Sequence, residues 1–181
     1  MADKLNWGVM GNATIARVCM IPAIQKSRNG IVRALASRSP KKAAKVRHRN
    51  RIDQLFDNYQ ALIDDPAIEA IYIPLPNHLH PEWTIKALSA GKHVLCEKPL
   101  ACNARQAQEM AAAAAASDRI LMEGFMYRFH PRSREIHRLV SQGAVGSPRL
   151  IRSAFCYRMS QQDASRPDNA RLRPEMGGGA L

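Results

Sequence analysis

No apolar run in this sequence approaches the ~20 residues that a membrane-spanning helix needs, so no membrane partner is expected. The opening Met1-Ala2-Asp3-Lys4-Leu5-Asn6 carries no apolar signal core, which predicts a cytoplasmic chain. Cysteine is sparse, at 19, 96, 102 and 156, without a CxxC spacing or a cluster with histidine. That argues against a metal site or a disulfide framework and fits a reducing compartment. Cys96, near Lys98, has two readings, a reactive thiol or a buried bystander at a strand end, and the second is favoured. Aromatics make up only 6% of the chain, too few for a single-strand binder that stacks bases.

Acidic residues are also in deficit, 15 against 27 Lys and Arg, for a formal net charge of +12. Such a balance raises nucleic acid as a partner. Its distribution does not support one. Arg38 to Arg51 holds seven Lys/Arg and no acid, and Asp57 to Glu69 is acidic. A second basic stretch, Arg128 to Arg138, contains one glutamate. Neither stretch has an RRM-like aromatic pattern or a helix-turn-helix, and no nucleic-acid partner is predicted.

The remainder reads as a globular chain, 46% hydrophobic over 181 residues, long enough for one well-buried domain and the beginning of another. Apolar runs at Leu5–Met10, Ile31–Ser37, Ala70–Leu75, His93–Cys96 and Ile120–Gly124 predict strands. Helix-period segments lie between them: Thr14–Lys26, a basic helix opened by Pro40 and capped by Ser39, Tyr59–Ile63, Pro81–Ala90 ended by Gly91, and an alanine-rich helix capped by Asn103. This βαβαβα order predicts an α/β fold, a doubly wound parallel sheet of the Rossmann type with right-handed crossovers. Pro131–Gln142 is a further helix and Arg149–Tyr157 a strand of alternating polarity. Met159–Met176 is polar and arginine-rich. The expected division is a dinucleotide-binding domain over 1–130, then 131–181 as the start of an incomplete second α/β domain, with its first strand and loop over 149–181.

Chemistry concentrates behind the strands. The first runs into Gly11-Asn12-Ala13-Thr14-Ile15-Ala16, the dinucleotide fingerprint GxGxxG with alanine at its second and third glycines. Gly11 would make the tight turn, Ala13 would admit a pyrophosphate, and Ala16 would let the helix pack on the sheet. The second strand ends without the Asp or Glu that binds a ribose 2′-hydroxyl. Ser37, Arg38 and Ser39 stand there, with Lys41 and Lys42 beyond, donors suited to a 2′-phosphate; the alternative is a solvated basic helix face. The third and fourth strands run into Pro76-Asn77-His78-Leu79-His80 and Glu97-Lys98-Pro99. Lys98 at that edge could donate a proton to a developing alkoxide, or Glu97–Lys98 could be only a surface ion pair. The residues alone leave both open.

Together, Gly8 to Ala16, Pro76 to His80, Gly91 to Pro99 and Met122 to Pro131 resemble the Gfo/Idh/MocA oxidoreductases, in particular the branch of NADP-dependent xylose dehydrogenases and dimeric dihydrodiol dehydrogenases. The resemblance implies a Rossmann domain followed by an α/β domain for substrate and dimerisation. It implies that Gly11, Asn12, Ala13, Thr14 and Ile15 touch the pyrophosphate, and that Ser37, Arg38 and Lys42 take the 2′-phosphate of NADP, with NAD the lesser candidate. Pro76, Asn77 and His80 would line the adenosine-to-nicotinamide path. Glu97 would hold the nicotinamide ribose, Lys98 would be the catalytic residue at the reacting oxygen, and Arg128 would sit near the nicotinamide. His78 and His130 would be structural. The implied reaction is hydride transfer between NADP and a sugar, polyol or dihydrodiol, by a full-length homo-oligomer. Gly178-Gly179-Ala180-Leu181 resembles the stretch before the family's second catalytic motif, so this chain is expected to be incomplete. A non-catalytic NADP-binding module is the competing expectation.

Overall fold

In a computed structural model the chain is described over residues 4–156, 158–161, 165, 169 and 172–179. Six parallel strands form one sheet: β1 (Leu5–Met10), β2 (Gly30–Ala36), β3 (Gln54–Phe56), β4 (Ala70–Ile73), β5 (His93–Cys96) and β6 (Leu121–Glu123). Their order is β3-β2-β1-β4-β5-β6. The order reverses direction between β1 and β4, the switch point at which open α/β sheets bind ligands. The crossovers carry α1 (Ile21–Lys26), α2 (Pro40–Asn50), α3 (Tyr59–Asp64), α4 (His80–Ser89) and α5 (Ala104–Ser117). α1 is entered through a π-helical turn, Ala16–Met20, within one helical run over 14–26.

Strand alternation divides the core between the two faces of the sheet. Val9, Val32, Leu35 and Tyr72 pack with Ile21 and Ile24 on one face. Met10, Ala34, Ile71 and Ile73 pack with Leu62, Leu88 and Met110 on the other. Each large side chain buried in this way stabilises the fold by about 1.5–3 kcal/mol. Lys92 is a charged member of the interior. Its Nζ donates to the carbonyls of Asp65 and Ile68, both at 2.7 Å, tying the turn after α3 to the start of β5. Burial holds its pKa below the ordinary lysine value, partly offset by Asp65, Asp64 and Glu69.

Three local expectations differ from the structure. Ser39 precedes α2, but its side chain makes no cap; the Ser37 hydroxyl instead accepts from the Ser39 N–H at 3.1 Å. β3 is an additional strand, three residues paired to β2 alone, too short to leave a periodic signature. Residues 149–156 form no strand, and Leu150, Ile151 and Phe155 are strongly exposed. Alternation equips a segment to be a strand, but a strand also requires a ladder, and the β-ladders of the described residues do not include these positions; Tyr157 lies outside the described residues.

Asn103 caps α5 as the sequence suggests, accepting from the Gln106 N–H, and the structure adds a second cap, His130, which accepts from the Arg132 N–H. His130 thereby starts α6 (Pro131–Ser141), whose apolar Ile136, Leu139 and Val140 remain exposed. Further on, the short turn Pro174–Met176 returns toward the sheet, where Gly177 meets Asn77. Among the described residues no helix is long and apolar enough to cross a membrane, and no cluster of three or more His, Cys, Asp or Glu could hold a metal ion.

Candidate cofactor and active site

Parallel strands deliver their carboxyl ends to a single edge, and the candidate residues follow those ends. Gly11 follows β1, Ser37 follows β2, Pro76 lies just beyond β4, Glu97 follows β5 and Gly124 follows β6. The turn after β1 requires glycine. Gly11 has φ +96°, and a Cβ there would fall 2.9 Å from Leu75 Cδ2. Its N–H donates to the Ala36 carbonyl at 2.7 Å, joining the β1 turn to the end of β2. Asn12 Oδ1 is buried without a hydrogen-bond partner, a costly state for a polar atom unless a ligand supplies the donor. Ala13 and Ile15 are half-buried, whereas Thr14 is exposed and its hydroxyl accepts from Arg17 at 3.0 Å.

At the end of β2, Ser37 is buried and its N–H donates to the Phe56 carbonyl at 3.0 Å. Arg38, beside it, and Lys42, in the first turn of α2, are exposed. A buried hydroxyl and two exposed cations thus flank the amino end of an 11-residue helix, a setting suited to an anion.

Beyond β4, Pro76 and Asn77 are half-buried. The Asn77 side-chain amide donates to the Gly177 carbonyl at 2.6 Å, a contact across a hundred residues of sequence. His80 departs from its expected place. Its ring is fully buried, with one nitrogen 2.8 Å from the Pro99 carbonyl and the other 2.8 Å from the Leu75 carbonyl. It therefore offers no surface to a ligand and instead joins the loop after β4 to the loop after β5.

Glu97 is half-buried, and its carboxylate turns away from the neighbouring ammonium. Oε1 accepts from the Tyr72 hydroxyl at 2.8 Å and Oε2 from the Lys98 N–H at 3.2 Å. Among the described residues no ion pair joins Glu97 to Lys98, so the surface-pair reading of these two residues falls. The Lys98 side chain is exposed, and its peptide bond to Pro99 is cis. Glu123 accepts from the Leu100 N–H at 2.9 Å and so fixes the far side of the same loop. Arg128 is exposed on the short turn Met126–Phe129, and His78 is also exposed. Cys96 is fully buried, and burial pushes its thiol up to about 12. It stays protonated at neutral pH, which excludes the reactive-thiol reading.

Tyr72 and Glu123, which hold Glu97 and the Leu100 N–H, carry no motif that joins them to the candidate site. For Tyr72 a signal existed: a phenol inside a strand buried on both faces must find a partner for its hydroxyl. For Glu123 no comparable signal exists.

The fold, the glycine turn at the switch point and the partnerless Asn12 oxygen together describe a dinucleotide cradle. The family model described as an oxidoreductase family with an NAD-binding Rossmann fold matches residues 5–125. The chain belongs to the Gfo/Idh/MocA oxidoreductase family. This family member is 37% identical to a D-xylose 1-dehydrogenase (NADP(+)) of Haloferax volcanii, over 97% of its own length and 52% of the relative's. It is 34% identical to a trans-1,2-dihydrobenzene-1,2-diol dehydrogenase of Xenopus tropicalis, over its full length and 53% of that protein. Among solved structures it resembles the 3-ketoreductase KijD10 of Actinomadura kijaniata in complex with NADP. There the TM-score is 0.74 at 37% identity, covering 80% of this chain and 46% of the other. The chain thus spans about half the length of the curated relatives it matches.

Proposed function

We propose that this protein binds NADP and serves hydride transfer between it and a small sugar, polyol or dihydrodiol. The observation that carries this reading is the turn at Gly11, where a Cβ would strike Leu75 and the buried Asn12 oxygen lacks a donor. The residues fit the cofactor. Gly11, Asn12, Ala13, Thr14 and Ile15 would hold the pyrophosphate, against the backbone N–H groups that open the helical run. Ser37, Arg38 and Lys42 would hold the 2′-phosphate, and the absence of a carboxylate after β2 favours NADP over NAD. The NADP-named xylose dehydrogenase and KijD10 in its complex with NADP support the same choice.

Pro76 and Asn77 would form the wall between the two ends of the dinucleotide, with His80 bracing that wall from inside. Glu97 would accept from the nicotinamide ribose. Each carboxylate oxygen has two lone-pair sites, so the bonds to Tyr72 and Lys98 leave it capacity to do so. Lys98 would hold a proton on Nζ and pass it to the substrate oxygen, or take it back in the reverse direction. Bound nicotinamide supplies the hydride acceptor or donor for the carbon bearing that oxygen. Arg128 would add positive charge near the nicotinamide.

The substrate class rests on what the relatives are named for. In the same proposal, residues 1–130 form the cofactor domain and 131–181 belong to a second unit for substrate and homo-oligomer contacts. The exposed apolar residues of α6 support that division. Cytoplasmic residence fits four free cysteines, three of them exposed. The test is a fluorescence titration with NADPH and NADH. NADPH should bind at least about tenfold tighter, and Arg38→Ala should erase the difference, since a hydrogen bond between charged groups is worth about 1.5–3 kcal/mol. Tighter binding of NADH would refute the cofactor assignment.

A further inference from the structure

Tyr72 is the one phenol in the centre of the sheet, in β4 between β1 and β5, and it has no solvent exposure. It packs with Val9, Val32 and Leu35, none of which brings a polar atom to that face. Tyr72 stands opposite Leu95 in β5. Glu97 lies two residues further along that chain, on the same face, at the diagonal distance an aromatic side chain can span. The phenol uses that reach, donating to Glu97 Oε1 at 2.8 Å. Burial and the neighbouring carboxylate both push its pKa well above the ordinary tyrosine value, so it remains a donor at every working pH.

The carboxylate is confined from two further directions. The Lys98 N–H holds Oε2 at 3.2 Å. Across β6, Gly124 approaches so closely that a Cβ there would lie 3.3 Å from Oε1 and 3.3 Å from the Cys96 carbonyl. Contributions from three adjacent strands therefore converge on one half-buried side chain. A phenylalanine would fill the Tyr72 site equally well; what the hydroxyl adds is the orientation of Glu97.

We propose that Tyr72 is a positioning residue, a buried phenol that fixes the Glu97 carboxylate for the nicotinamide ribose. The proposal rests on the reading of Glu97 given above. Because Tyr72 acts through Glu97, its removal should affect ligands that reach Glu97 and spare those that do not. The test measures the affinity of the full chain for NADPH and for 2′,5′-ADP, which retains the 2′-phosphate end but lacks the nicotinamide ribose. Tyr72→Phe and Glu97→Gln should each weaken NADPH about tenfold, the equivalent of one hydrogen bond to a charged group. Both should leave 2′,5′-ADP unchanged, and the double variant should be no worse than either single one. Loss in Glu97→Gln alone overturns the role of Tyr72 and leaves Glu97 at the ribose. Loss in neither variant overturns the Glu97 reading as well. Equal loss of both nucleotides in Tyr72→Phe marks it as a structural residue and also overturns the proposal, as does a fully additive double variant.

Discussion

Gly11→Ala tests the cradle directly, because two separable costs are visible at that position. The backbone has φ +96°, where a Cβ costs roughly 1–2 kcal/mol of strain. The new methyl would also fall 2.9 Å from Leu75 Cδ2, and Leu75 is only 8% exposed, packed into the core below. Overpacking at such a site costs about 1–3 kcal/mol, for a sum of about 2–5 kcal/mol. In a chain of this size each kcal/mol lowers Tm by about 2–4 °C, so the melting point should fall by roughly 4–20 °C. Gly91→Ala isolates the first cost. Its φ is +77°, but its nearest new neighbour would be Arg119 Nε at 3.9 Å, and strain alone should lower Tm by about 2–8 °C. The second readout is NADPH affinity, measured well below both melting points. Gly91→Ala should bind as the parent does, and Gly11→Ala should lose most of its affinity because the methyl occupies the phosphate approach. If Gly11→Ala melts no lower than Gly91→Ala, or binds NADPH undiminished, the turn is not the cradle.

Two further outcomes are expected. Lys98→Met removes an exposed side chain, so stability should move by less than about 0.5 kcal/mol and NADPH affinity should hold. In any preparation that turns over an aldose or dihydrodiol, kcat should fall about 10²–10⁴-fold, and an unchanged kcat would assign proton transfer to another group. The second concerns alkaline pH. Cys96 titrates at about 12 in the fold against an ordinary 9.0, so above pH 9 the folded state holds a proton that the unfolded state has released. Its stabilisation is complete below pH 9 and is lost as pH climbs toward 12, by up to about 1.4 kcal/mol per pH unit. Tyr72, also raised, adds to this loss above 10.0. Lys92, lowered by burial, acts in the opposite sense as pH rises toward 10.5. Denaturant midpoints between pH 8 and 10.5 should therefore decline less steeply in Cys96→Ala than in the parent, because Tyr72 and Lys92 contribute equally to both. Parallel slopes would contradict the assignment to Cys96.

The sheet was largely legible because its central strands leave continuous apolar runs, as strands buried on both faces must. β3 escaped notice because Gln54-Leu55-Phe56 is too short to carry a period and is held by β2 alone. Residues 149–156 alternate in polarity yet form no strand, since alternation records which face a strand would bury and not whether a ladder forms. The candidate site is readable wherever its residues sit in a local motif, at Gly11, at Ser37-Arg38 and at Glu97-Lys98, and the fold brings those positions to one edge of the sheet. Contacts that depend on which strands become neighbours leave no such motif. Tyr72 reaches Glu97 only through the β4–β5 register, and Asn77 finds Gly177 only after the chain has come back past the sheet.

Those hidden contacts share a physical logic. The loops at the carboxyl edge contain little regular structure, so backbone ladders cannot hold them in place. Those after β4 and β5 are tied instead by polar side chains anchored behind them. His80 engages the Leu75 and Pro99 carbonyls at once, Glu123 holds the Leu100 N–H, and Tyr72 holds Glu97. All three act on the short stretch from Glu97 to Leu100, which contains Lys98. The backbone of that stretch is therefore fixed by protein contacts alone, while the Lys98 side chain stays exposed. An exposed amine on an anchored backbone suits the proton-transfer role proposed for Lys98, because the side chain can reorient without moving the loop that carries it. A loop held only by its ligand would have to be ordered again in every binding event, at a cost of about 1–2 kcal/mol for each backbone residue fixed. Anchoring from the core places that cost in folding rather than in binding.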